Sequence, residues 1–338
     1  FDKLEYLNVP SLSNLQYLDV SNNELYVIEF NNSFIIPTNI QTLNISNNNI
    51  GSNATNAGGK WLLDSNIPQP VLRDQLISIN SSELTNLNFS KNNNLQVTLN
   101  GSHESLETVR CSESRGLLAN IGALLPNLKT YIAENNTAPN IFFQDTSLLR
   151  TVNVKGSNNF RTISVKDRDI CSGFASLRTI DISNTNVRSL NLRYLNDDIA
   201  DWDARYAGSN AGEIEDEISS EPGRFGSLAA NIEYVYAQNS NLERLYLPSH
   251  NQFPQSSCGN IDGFGNPNVD SELQIVDVSN TRLGVNGSLE YFFSQAVFNP
   301  SGYPDSFILT VNATSIKDQN GNPATLSLTR YNQIINSW

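Results

Sequence analysis

The sequence predicts a mainly β repeat fold, a right-handed solenoid with one long parallel sheet, an extended or irregular second side and little helix. Three observations carry that expectation. An eleven-residue phrase recurs, most clearly as LQYLDVSNNEL from Leu15, IQTLNISNNNI from Ile40, LRTIDISNTNV from Leu177 and LQIVDVSNTRL from Leu273. Apolar side chains alternate within each copy, the period-two mark of a short strand with one face inward. Copies in the middle of the chain start about 22 residues apart, at Leu84, Leu106, Leu128 and Leu149, a spacing at which each copy is one unit of a repeating stack.

With a further copy at Ile232 the phrase occurs nine times, and its central steps define nine strands. They fall at residues 18–20, 43–45, 87–89, 109–111, 131–133, 152–154, 180–182, 235–237 and 276–278, side by side in one sheet. Asn23 and Asn48 follow the strand where the chain turns inward, and an amide there can satisfy buried backbone groups of neighbouring turns. Thr185, Ser240 and Thr281 replace it in later copies, with less bonding capacity and looser turns. A second apolar step follows many copies, as Leu25, Ile28, Phe30; Phe160, Ile163, Val165; Val187, Leu190, Leu192; and Leu242, Leu245, Leu247. Its short period-two pattern makes the returning side extended rather than helical.

Leu4, Leu7 and Val9 before Pro10 repeat that second step, so the chain opens halfway through a repeat. Further repeats, a cap or another subunit are therefore expected to cover residues 1–9. The solenoid spans 1–305 with insertions at 51–80, 193–231, 249–271 and 284–306, stretches that in repeat folds often bind. Residues 306–338 hold a degenerate last repeat around FILTVNATSI and a C-terminal cap.

These copies resemble the leucine-rich-repeat family, whose template LxxLxLxxNxL they meet nearly letter for letter over about Phe1 to Leu283. The resemblance implies the fold and is almost silent on function.

Composition narrows the function. A net charge of −13 argues against general nucleic-acid binding, which draws its affinity from neutralised phosphates. No run approaches the roughly 18 apolar residues that cross a bilayer. Asparagine makes up about one residue in seven, as a periodic demand would produce. Methionine is absent and no charged-plus-apolar leader precedes the repeats, which reads as a processed piece of a longer protein. Cys111 occupies a core position; Cys171 and Cys258 lie in connecting segments one repeat apart, open to either free thiols or a bridge.

Catalytic patterns are missing: His103 and His250 lie in loops, and no HExxH, GxSxG or Walker sequence occurs. No cofactor or metal site is expected. Asp262 to Glu272 and Asp318 to Asn322 read as turns, and Glu213, Glu215, Asp216 and Glu217 as a solvated acidic loop. Nine Asn-x-Ser/Thr triplets, among them Asn44 and Asn88, follow from the template's own composition.

The candidate site is the outward face of the main sheet. Arg110, Lys129, Arg150, Lys155 and Arg178 form a basic stripe over four adjacent strands, joined by Ile132 and by the aromatic pair Tyr234 and Tyr236. Glu107, Glu134 and Asp181 stand near enough in the pattern to neutralise it as cross-strand pairs. The function expected is non-enzymatic recognition or adhesion. A protein or glycan partner of anionic character would be bound through the sheet face and insertion loops, at a cell surface or outside the cell. The alternative is a structural or host-contact component of a phage tail, virion or other large assembly, exposed on the virion surface.

Overall fold

The computed structural model describes residues 3–10, 14–30, 35–36, 39–50, 76–79, 81–99, 102–119, 124–138, 140–144, 146, 148–160, 162–166, 176–192, 224–226, 232–247, 273–284, 310–318 and 320–324. Among them there is no helix, and so none that is long and apolar enough to cross a membrane.

The chain moves to and fro between two sides. It opens on β1 (Tyr6–Val9), runs through β2 (Tyr17–Asp19), and returns as β3 (Val27–Phe30) and β4 (Ile35–Ile36). The same alternation continues through β5 (Thr42–Asn44), β6 (Leu76–Ile79), β7 (Asn86–Asn88), β8 (Asn92–Leu99), β9 (Thr108–Arg110) and β10 (Ser114–Ala119). Next come β11 (Thr130–Ile132), β12 (Asn140–Gln144), β13 (Thr151–Asn153), β14 (Thr162–Lys166) and β15 (Thr179–Asp181). The order then runs β16 (Ser189–Asn191), β17 (Arg224–Gly226), β18 (Tyr234–Tyr236), β19 (Arg244–Tyr246), β20 (Ile275–Asp277) and β21 (Thr310–Asn312).

One ten-stranded sheet takes β2, β5, β7, β9, β11, β13, β15, β18, β20 and β21 in that order, each parallel to the next. All nine strands expected from the phrase are in it, and FILTVNATSI supplies the tenth, β21. The returning side is extended, in three parallel sheets: β1-β3, then β4-β6-β8-β10, then β12-β14-β17-β16-β19. Two of these strands, β6 and β17, lie inside stretches read from the sequence as insertions.

Both sides bury their inward side chains in one core. Leu43, Ile45, Val109, Cys111, Val152, Val154, Ile180, Ile182, Val276 and Val278 have essentially no exposure. Each fully buried aliphatic side chain contributes roughly 1.5–3 kcal/mol. Cys111 is a free, buried thiol, its Sγ 3.4 Å from the Tyr131 hydroxyl. The first repeat is more open: Leu18 and Val20 are half-buried and Leu4 is exposed, although Val9 is buried.

Two residues at every turn explain the asparagine. Each strand of the main sheet is followed, three residues after its end, by a residue with positive φ. These are Asn22, Asn47, Lys91, Glu113, Asn135, Gly156, Asn184, Asn239, Asn280 and Ser315, with φ between 52° and 74°. Asparagine and glycine adopt this left-handed conformation most readily; Lys91, Glu113 and Ser315 adopt it at a steric cost. The following position carries the bonding amide. Asn48 Nδ2 donates to the carbonyls of Val20, Ile45 and Ser46 at 3.0, 3.0 and 3.2 Å, and its Oδ1 accepts from Leu25 N at 3.0 Å. Asn92 repeats the pattern one turn later, toward Ile45, Phe89, Ser90 and Ile50. Where Thr185, Ser240 and Thr281 stand instead, each hydroxyl donates to one carbonyl, of Ile182, Ala237 and Val278.

His103 lies in the connection between β8 and β9, as expected, and is buried there, with Nδ1 3.0 Å from Ser81 O. Asp318 closes a turn by accepting from the backbone of Asn320 and Asn322. Cys171, Cys258, His250, the acidic run 213–217 and the segment 262–272 lie outside the described residues, as do most of the four insertions.

Candidate binding face of the main sheet

The residue two positions before the inward residue of each strand sets the register of the face. Its carbonyl accepts two amides of the next copy: Lys129 O from Arg150 N and Thr151 N, Arg150 O from Arg178 N and Thr179 N, and Arg178 O from Glu233 N and Tyr234 N. These positions therefore form a straight column across strands about 4.8 Å apart. Over β9, β11, β13, β15 and β18 the column reads Glu107, Lys129, Arg150, Arg178, Glu233.

Three cations are thus flanked by two carboxylates. Lys129 Nζ meets Glu107 Oε1 at 2.7 Å, and Arg178 pairs with Glu233. Arg150, exposed between them, has no ion pair among the described residues. Glu107 neutralises Lys129 as the sequence allowed. Glu134 and Asp181, however, pair with no cation among the described residues: Glu134 accepts from Asn153 Nδ2 at 2.6 Å, and Asp181 from Ser183 N at 2.9 Å.

The other stripe residues belong to different columns. Arg110 is in register with Asn88 on one side and Ile132 on the other, nearer the C-terminal ends of the strands. Lys155 lies beyond its strand, at an open polar hollow of about 380 Å³ lined by Glu134, Asn135, Gly156, Asn158 and Asn184. Gly156 makes room there. Its φ is +74°, and a Cβ would come within 2.1 Å of Asn135 Oδ1. The stripe is therefore a spread of cations over three columns rather than one line.

Tyr234 and Tyr236 stand beyond the Glu233 end of the cationic column. Both point outward from β18, with rings within 2° of parallel and centroids 6.5 Å apart. Register puts Asp181 on one side of Tyr236 and Asp277 on the other. Partial burial pushes the Tyr236 phenol above its usual pKa, and the charges of Tyr234, Asp181 and Asp277 add to the shift. The aromatic pair thus sits in an acidic setting that the sequence, read strand by strand, did not disclose. Comparisons of the chain with protein-family models, curated proteins and solved structures gave no match.

Proposed function

We propose that the chain is a non-enzymatic recognition module, a right-handed coil of the leucine-rich-repeat type acting outside the cell or at a cell surface. It binds an anionic protein or glycan through the outward face of its ten-stranded sheet and its insertion loops. The observation that supports this reading best is Arg150, held in register between Lys129 and Arg178 with no counter-charge of its own among the described residues. Like charges opposite one another across strands destabilise a sheet. Neutral residues keep the same backbone bonds in that column, as Gln16, Gln41 and Thr85 do. Strand formation therefore makes no demand for three cations, and in a chain of net charge −13 their concentration calls for an anionic partner.

The charges are exposed, so they act at contact range, within about 8 Å at physiological salt, and chiefly on the rate of association. The test replaces Lys129, Arg150 and Arg178 with Ser and measures binding to dextran sulfate and to poly-L-glutamate across a salt series. Affinity should fall at least about tenfold at low salt, with a shallower salt dependence. Unchanged affinity and slope would remove the column from the binding surface.

A further inference from the structure

We propose that Tyr234 and Tyr236, with Asp181 and Asp277, form a receptor for an arginine side chain of a protein partner. This rests on the reading of the sheet face as a binding surface and identifies the partner's chemistry at one point of it. Four observations converge. First, the two rings are parallel, with centroids 6.5 Å apart, so two aromatic faces of the same orientation stand side by side on the sheet. A flat cation can lie against such a face. Second, the phenol of Tyr234 is tethered to Gln274 Oε1 at 2.9 Å, which holds one ring in place.

Third, the surrounding groups are acceptors without cations. Asp181 and Asp277 each spend Oδ1 on a turn, accepting from the backbone N–H and hydroxyl of Ser183 and Ser279. The second oxygen of Asp277 accepts from Asn312 at 3.2 Å, and neither carboxylate has an ion pair among the described residues. Fourth, Gln238, two residues after Tyr236, holds Oε1 away from solvent with no donor among the described residues.

Ring faces, carboxylates and an orphan acceptor together lack one thing, a planar cation with several N–H donors. Guanidinium has that shape and charge; ammonium has the charge without the plane. The cation-bearing half of the same face begins one strand away, at Arg178. The partner segment would therefore carry its arginine next to acidic groups rather than in a basic run.

The experiment uses the full chain, with tyrosine rings isotopically labelled, titrated with an acetylated Gly-Gly-Arg-Gly-Gly amide and its lysine counterpart. Saturable shifts of the Tyr234 and Tyr236 ring signals are expected with the arginine peptide in the millimolar range, and binding at least about fivefold weaker with lysine. Asp181→Asn with Asp277→Asn should weaken arginine binding by a similar factor while keeping the turns, since Asn44 and Asn88 make the same backbone bond elsewhere in this column. Replacing Lys129, Arg150 and Arg178 with Ser should leave arginine binding in place, which separates this site from the cationic column. Absence of saturable shifts, equal response to lysine, or indifference to the double Asn variant would each overturn the assignment.

Discussion

Asparagine does two different jobs in adjacent positions of the repeat, and they have different costs. The inner one is a hydrogen-bonding hub. Removing the Asn48 amide strands the buried Leu25 N–H and takes one of two donors from each of the carbonyls of Val20, Ile45 and Ser46. Asn48→Ala should therefore destabilise the fold by roughly 2–4 kcal/mol, whereas Thr281→Ala, which loses one bond to Val278 O, should cost about 1 kcal/mol. Urea unfolding of the two variants compares them; equal losses would refute the hub. The preceding residue is chosen for backbone conformation. Glu113 adopts φ 52° with an exposed side chain, so Glu113→Asn should raise stability by up to about 1 kcal/mol, read as a higher thermal midpoint. The hub was legible in the sequence because its position in LxxLxLxxN is fixed. The left-handed residue was not, because a pair such as Asn22-Asn23 shows an excess of one residue type without saying that each member answers a different constraint.

Strands of the main sheet were readable from short alternations such as Leu43 and Ile45, since inward direction is a local property of an extended chain. The returning strands were partly readable: β3, β16 and β19 carry the second apolar step, whereas the three-residue β17 has one apolar side chain and no alternation to detect. Depth in the stack is not local either. Leu18 and Val20 have the same pattern as Ile180 and Ile182 yet are half-buried, because among the described residues β2 has a neighbouring strand on one side only. Stability in such a stack is a sum over neighbouring repeats, so opening should start at the margins. Amide exchange at residues 152–154 and 180–182 should be slower than at 18–20 and 311–313 by at least about tenfold. Uniform protection across the ten strands would contradict this.

Across the molecule, charge is arranged in two opposed ways. The chain carries −13 overall, yet its central face gathers Arg110, Lys129, Arg150, Lys155 and Arg178 beside an acidic, aromatic neighbour. Net self-repulsion disfavours the compact state, and salt screens it. Raising sodium chloride from about 10 mM, where the screening length is about 30 Å, to about 0.1 M, where it is about 10 Å, should therefore raise the thermal midpoint by a few degrees. A fall would mean that the ion pairs Lys129–Glu107, Arg178–Glu233 and Arg282–Glu243 outweigh the repulsion.

Everything that repeats could be read from one copy: the strand, the inward leucines, the bonding amide and the extended return. Each depends on residues a few positions apart, and the phrase places those residues at fixed offsets. The pairing of charges on the face could be decided only by the folded chain. Arg178 finds Glu233 from 55 positions away, and Asp277 comes beside Tyr236 because β18 and β20 pair in register. Among the described residues, which cation is left without an ion pair is set by that register between copies distant in sequence. Local patterning places a side chain on a face, while its neighbour on that face is chosen by how the repeats stack.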